Sequence, residues 1–377
     1  MPDRCPAPST GRPAPQARVT TRVVALLAAA LLGLLSGCNR QPHFVPASAD
    51  SSLAFAQDSL AERVRVLQER WGTDGAGEDA ARLTAGLLLQ DLRARLAVAP
   101  QTPWQDRARA LLDSLDVGAE LAGAPCALAV NFFSRADPAA GSWPWVYWCS
   151  ETTLQAQAVE GAGMSLIALA SRGLSDEPAA PPGLPGIAAL FARRSGGGQQ
   201  PLLLVWRAEE ERLELEQTLG PDSLGGIGSG TFETAADSVV QLAVRTWRPT
   251  PRFDECSTCP HVFHQRRFRW GPEGFLGVEG QVVPSPYGTF VRLIQTLTAG
   301  DRDGALQFVT RPALIESVRR AGWDTVKGPW RAAPGSEDRG DEMVFYRGST
   351  EAWKVRFARQ GEDWRVDSFE ATTRVIE

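Results

Sequence analysis

The residues best equipped for chemistry lie in one run, Cys256-Ser257-Thr258-Cys259-Pro260-His261-Val262-Phe263-His264. Two thiols and two imidazoles this close allow three kinds of site. Tetrahedral zinc takes these donor types. The second half of such a site normally lies a dozen or more residues on, where the chain folds back over the metal, yet His261 comes two residues after Cys259. With residues 262–270 read as a strand, positions 261 and 264 point to opposite faces. Gathering Cys256, Cys259, His261 and His264 on one ion would then need a turn through residues 260–263. A redox dithiol is the second kind, since neighbouring donors lower a thiol pKa. That motif normally opens a helix in a thioredoxin-like unit, and the surroundings here read as strands. The third kind is a structural disulfide pinning the loop before a strand, and the cysteine usage of the whole chain favours it.

Of the six cysteines, Cys126, Cys149, Cys256 and Cys259 lie well inside the chain. Four cysteines permit three pairings, and proximity favours Cys126–Cys149 with Cys256–Cys259. The other motifs are poorer in chemistry. Gly225-Gly226-Ile227-Gly228-Ser229-Gly230 lacks the Lys-Ser/Thr ending of a phosphate loop and leads into no helix. It reads as a glycine-rich turn. Gly163-Met164-Ser165 lacks the second glycine of a nucleophile elbow. Trp143, Trp145 and Tyr147 share one strand face and Trp148 takes the other, which reads as core on both sides before it reads as a stacking platform for sugar or peptide. Glu209-Glu210-Glu211 reads as a solvated turn, and Arg266, Arg267 and Arg269 as a small basic patch. No catalytic set is complete, and no cofactor is implied.

Along its length the chain shows three regimes of pattern. Helical stripes come first. Leu60, Val64, Leu67 and Trp71 share a face behind Asp58, read as an N-cap; Ala85, Leu88, Leu92 and Leu96 share another within residues 78–98. Thr102-Pro103-Trp104-Gln105 reads as a capping box opening a third helix, with Ala108, Leu111, Leu112 and Leu115 inward. These stripes predict the core of a small bundle. From Pro125 short apolar runs alternate with Gly/Pro clusters, predicting antiparallel strands at 127–133, 143–149, 155–160, 165–171, 187–193, 201–207, 213–219, 230–234, 239–247, 262–270 and 275–283. The loops at 175–186 and 195–200 are rich in Pro or Gly. Strands this dense predict a sandwich, a barrel or a curved sheet, and no exact internal repeat marks a propeller. The third regime runs from Ser285: helices capped by Ser285-Pro286, Asp301 and Pro312, then strands at 343–347, 353–359 and 363–369.

Two stretches carry resemblances. Arg18 and Arg22 precede an apolar run at residues 23–35, which is closed by Leu35-Ser36-Gly37-Cys38. The run is shorter than the about 20 residues that a membrane-spanning helix needs, and its flanks are those of an export signal. The stretch resembles a bacterial lipoprotein signal with its lipobox. That resemblance implies lipidation and cleavage at Cys38, so that residues 1–37 are signal and residues 38–57 tether. Asn39, where inner-membrane retention would place Asp, tilts the expected address to the outer membrane. Export also makes disulfides the expected state of the inner cysteines. The second resemblance rests on Ala299-Gly300-Asp301 after a first helix, Gly322-Trp323 after another, and the closing Gly361-Glu362-Asp363-Trp364-Arg365-Val366. Together these resemble the NTF2-like superfamily, which implies a cone of curved sheet and helices around an apolar pocket. Enzymes of that superfamily often place Asp–His pairs in the pocket, and residues 285–377 contain no histidine.

The expected fold is therefore α+β: a helical module at 58–122, a central antiparallel β-rich domain at 123–284 and an NTF2-like cone at 285–377. The chain holds 39 basic and 44 acidic residues, a net charge of −5. Four arginines but only one acid precede Cys38, so the mature part is more acidic still. That balance argues against nucleic acid as a partner. The expected partners are the membrane, through lipid on Cys38, and an envelope protein or a small apolar ligand. Binding without catalysis is the preferred function. The alternative is an envelope enzyme or a redox or metal protein centred on Cys256, Cys259, His261 and His264.

Overall fold

The computed structural model describes residues 49–373 apart from 70, 72–75, 97–103, 139–140, 151–152, 162, 175–184, 237, 335 and 337–339. The expectations for Cys38, for the signal, for residues 102–103 of the capping box and for most of the 175–186 loop lie outside these residues. The chain divides into two units between Ser59 and Leu60.

Three helices come first: α1 (Ala49–Glu69), α2 (Ala76–Leu96) and α3 (Trp104–Ser114). Asp58 lies inside α1 and does not cap it, because the helix begins at Ala49. The predicted stripes do face inward: Val64, Ala85, Leu88, Leu92, Ala108 and Leu112 are buried. They do not close a bundle among themselves. Their core is shared with a four-stranded sheet, through Val117, Leu128, Val130, Phe132, Tyr147 and Leu154.

That sheet is an antiparallel meander of β1 (Gly118–Ala124), β2 (Ala127–Phe133), β3 (Ser142–Cys149) and β4 (Leu154–Ala158). Strand β1 replaces the end of the expected helical stretch. Its sequence, Gly-Ala-Glu-Leu-Ala-Gly-Ala, has weak strand propensity and is held by pairing along its length with β2. Two further meanders follow: β5 (Met164–Arg172), β6 (Gly186–Ser195), β7 (Gly198–Ala208), β8 (Leu213–Leu219), and then β9 (Ile227–Thr234), β10 (Val240–Trp247), β11 (His264–Gly271), β12 (Gly274–Val282). A one-turn helix, α4 (Pro221–Leu224), joins them.

The three meanders stack face to face. Ala127, Ala129, Val146 and Trp148 of the first pack on Ile187, Phe191, Leu204 and Trp206 of the second. The opposite face of the second, with Ala188, Leu190, Leu203 and Val205, packs on Leu242, Val244, Phe268 and Trp270 of the third. Strands β6 and β7 are thus covered on both sides, which explains why their sequences read as nearly continuous apolar runs without alternation. The aromatic cluster on β3 is core on both faces. Tyr147 donates to the Ala85 carbonyl at 3.2 Å, and the Trp148 indole donates to Glu209 at 3.2 Å. The glycine run is backbone geometry: Gly226 and Gly228 have φ of 114° and 152°. A side chain at either would run into the Trp247 or Arg245 carbonyl.

The last part combines α5 (Pro286–Thr298), α6 (Arg302–Ala305), a single 3-10 turn (Leu306–Phe308) and α7 (Ala313–Arg320) with a fourth antiparallel sheet. Its strands are β13 (Trp330–Ala332), β14 (Glu342–Arg347), β15 (Glu351–Gln360) and β16 (Asp363–Ala371), in that order. Ser285 caps α5 by accepting from the Gly288 N–H, and Asp301 caps α6 by accepting from the Gly304 N–H, as their residue types demand. Aromatic rings fill the space between helix and sheet. Phe290 stacks on Phe345 at 3.7 Å, and Trp323 meets Phe290, Trp330, Trp353 and Phe369. The α+β class stands, with four antiparallel sheets.

Candidate functional site

The segment between β10 and β11, residues 248–263, leaves the third sheet and reaches the fourth. Phe253 enters the C-terminal core, where its ring meets Tyr287 and Phe290 edge-on. Beside it the backbone meets β13 in a single parallel bridge between Phe253 and Trp330. Trp330 donates to Arg252 at 2.9 Å, and Asp254 donates to Trp330 at 2.7 Å. The segment is therefore a clasp between two sheets, and the Cys-x-x-Cys motif sits on it.

Cys256 and Cys259 are joined by a disulfide across a tight turn, with Cα atoms 5.0 Å apart and the Cys259 N–H donating to the Cys256 carbonyl at 3.1 Å. In this state neither sulfur is a thiolate for metal or redox work. The motif sits on a turn and not at a helix N-terminus, so the helix-dipole lowering of a thiol pKa does not operate here. Cys256 is exposed and Cys259 half-buried. The two histidines do not join them. His261 is 3% exposed and stacks on Trp247 at 3.4 Å between ring centres. His264 opens β11 opposite Thr246. Burial, then Arg266, Arg248 and Arg292, hold its imidazole below its ordinary pKa. Among the described residues no three His, Cys, Asp or Glu side chains converge as metal ligands. Of the four donors of the tetrahedral alternative, Cys256, Cys259, His261 and His264, the two sulfurs are bonded to each other.

One buried acid anchors the clasp. The Glu255 side chain is 2% exposed, accepts from the Tyr287 hydroxyl at 2.7 Å and from the Thr250 N–H at 2.9 Å, and lies 3.9 Å from Nδ1 of His261. Burial alone pushes its carboxyl up; the interactions with His261, Tyr287 and Thr250 outweigh it and hold the group below the ordinary value. Both ring nitrogens of His261 are without a hydrogen-bond partner among the described residues. Nothing in the sequence singled out Glu255 or Tyr287, because their contact spans 32 positions.

Where the clasp turns away from β13 a cleft of about 430 Å³ opens. One wall is Asp254, the Cys256–Cys259 turn and Pro260; the other is residues 331–334 and Ser336. This lies within the size range of small-ligand sites, about 300–1,000 Å³. The second wall falls in a stretch without periodicity, so no pattern in the residues announces it.

Cys126 and Cys149 are brought together, as their spacing suggests. Cys126 sits at a left-handed φ of 52° in the β1–β2 turn, and the Cys149 N–H donates to its carbonyl at 3.0 Å. Among the described residues they are the cysteines outside the Cys256–Cys259 bond. Contact with the Cys126 thiol, together with burial, raises the Cys149 pKa. No helix among the described residues is long and apolar enough to cross a membrane. No family model matches the chain, and no curated protein or solved structure matches it.

Proposed function

We propose that the chain is an exported cell-envelope protein, anchored by lipid on Cys38, whose folded part binds a partner or ligand without transforming it. The observation that carries the reading is Leu35-Ser36-Gly37-Cys38 at the end of a basic-then-apolar leader. The Cys256–Cys259 bond supports it, since such bonds persist in oxidising compartments. Several acyl chains on one residue hold a domain at a membrane durably, each buried CH₂ contributing about 0.8 kcal/mol. Asn39 favours the outer membrane. The C-terminal part is read as an NTF2-like cone, and the packing of α5 across β14 and β16 supports that.

Cys38→Ala tests the anchor. Expressed in a bacterium fed an alkyne fatty acid, the parent chain labels and sediments with membranes, and the variant does neither. Equal labelling of the variant overturns the lipobox.

The exposure of Cys256 favours one competing reading, a redox protein working through Cys256–Cys259. Cycling of that pair with a small dithiol at a rate well above that of an unstructured disulfide peptide would support it. A matching rate leaves the bond structural.

A further inference from the structure

We propose that Arg248, Arg266, Arg292 and His264 form a binding site for a phosphoryl group where the third sheet meets α5. The site rests on the reading that the folded part binds a ligand and gives that ligand a chemical class; it does not depend on the lipid anchor.

Three elements bring these side chains to one place. The register of β10 on β11 sets Thr246 opposite His264 and Val244 opposite Arg266, so His264 and Arg266 share a face with Thr246. Arg248 continues that face two residues past Thr246. The last carbonyls of α4 gather the same face: Asp222 accepts from Arg248 at 2.8 Å, Ser223 from Arg266 at 3.4 Å and Leu224 from the Thr246 hydroxyl at 3.1 Å. The start of α5 closes in from the other side. Val283 donates to the Phe263 carbonyl at 2.8 Å, next to His264. Arg292 stands one turn along the helix from Gly288, to whose carbonyl it donates at 3.3 Å.

The positive charge gathered here is poorly compensated. Each guanidinium gives one N–H to a backbone carbonyl, out of five that it carries. Among the described residues none of the three arginines makes an ion pair. Burial lowers the pKa of Arg292, and the charge of Asp363 at the start of β16 offsets this only in part. His264 feels the same excess. After burial, the causes that hold its pKa down are Arg266, Arg248 and Arg292, with no carboxylate against them. Three cations against one acid is an unusual balance on a chain whose net charge is −5, and an anion completes it.

The arrangement selects the anion. Guanidinium forks match the oxygens of a carboxylate or a phosphate. A carboxylate offers two oxygens in one plane, whereas forks arriving from β10, β11 and α5 suit a tetrahedral group that gives each of them an oxygen. His264 adds a further donor once protonated, and a bound phosphoryl group favours that protonated form.

The test uses the full chain in neutral detergent, isotopically labelled at its histidines and followed by nuclear magnetic resonance; His264→Gln assigns the signal. Inorganic phosphate is titrated against chloride of equal ionic strength. The expected result is a saturable rise in the His264 pKa by about half a unit or more, with the other histidines unmoved. Arg292→Gln leaves the contacts to α4 in place. It weakens phosphate binding about tenfold, and without phosphate it raises the His264 pKa, because one repelling charge is gone. Arg248→Gln, at an exposed position, is the second variant and keeps the test decisive where Arg292→Gln melts below the parent. Phosphatidylglycerol added to the micelle separates the sources. A shift with the lipid and none with free phosphate assigns the group to a membrane headgroup; a shift with free phosphate assigns it to a soluble compound; either supports the site. An equal shift in chloride, meaning an adventitious ion only, overturns it. So does no shift with either probe, or unchanged phosphate affinity in well-folded variants. With fatty-acid labelling at Cys38 intact, those outcomes leave the anchored chain standing. Phosphate binding by a chain that takes no label overturns the anchor alone.

Discussion

Glu255 and the disulfide next to it both hold the clasp. The Glu255 carboxyl is held below its ordinary pKa, so it contributes stability at neutral pH that is lost as the pH falls through the folded value. Glu255→Gln keeps the shape and loses the charge. It is expected to lower stability near pH 7 by about 1–3 kcal/mol and by less at about pH 2, below the ordinary carboxylate range, and so to flatten the acid limb. Urea unfolding at both pH values checks this; equal losses at the two would contradict it. The Cys256–Cys259 ring is small, and loop entropy assigns it about 2 kcal/mol. Paired substitution of both cysteines by serine is expected to cost that amount in the same assay. Export adds a third expectation: with Cys126 and Cys149 side by side, chain isolated from the envelope and denatured without reductant shows no free thiol. Two thiols would mean that this pair stays reduced. At this scale the Cys-x-x-Cys pair was one of three readings, favoured as a disulfide by export and cysteine usage, and the structure places its sulfurs at bonding distance. Glu255 and Tyr287 were not legible, because their roles depend on chain far away in sequence.

Elements were legible where local chemistry and global packing agree. The strands at 127–133 and 213–219 coincide with β2 and β8, and the Ser285 and Asp301 caps hold their helices. Strand β1 was missed because glycine and alanine favour no strand and its partner supplies the reason for it. Strand β13 was missed because three residues give no periodicity. The start of α1 was misplaced because Asp58 is a good cap residue that this helix simply includes. The doubly covered strands carry the clearest energetic expectation at this scale. Phe191 on β6 is fully buried against the first sheet, and Phe191→Ala is expected to cost about 3–5 kcal/mol. Leu276 on β12 is 55% exposed, and Leu276→Ala is expected to stay within about 0.5 kcal/mol. Comparable losses for the two, measured by urea unfolding, would contradict the stacking of meanders described above.

At the scale of the molecule, helices and three meanders form successive layers, and the 248–263 clasp ties the third meander to the C-terminal sheet. The α+β class and the density of antiparallel strands were legible from composition and punctuation. The order of the layers was not, since which sheet faces which is decided by non-local burial and no internal repeat announces it. The sharing of one core by helices and first sheet explains why the stripes looked like a bundle: a helix shows the same apolar face to a sheet as to other helices. The proposed role depends on where the chain resides. Mass spectrometry of the N-terminal peptide from membrane-extracted protein tests that most directly. The expected spectrum shows Cys38 as the first residue, carrying a diacylglyceryl thioether and an amide-linked acyl chain. An unmodified peptide that contains Gly37 joined to Cys38 would contradict it.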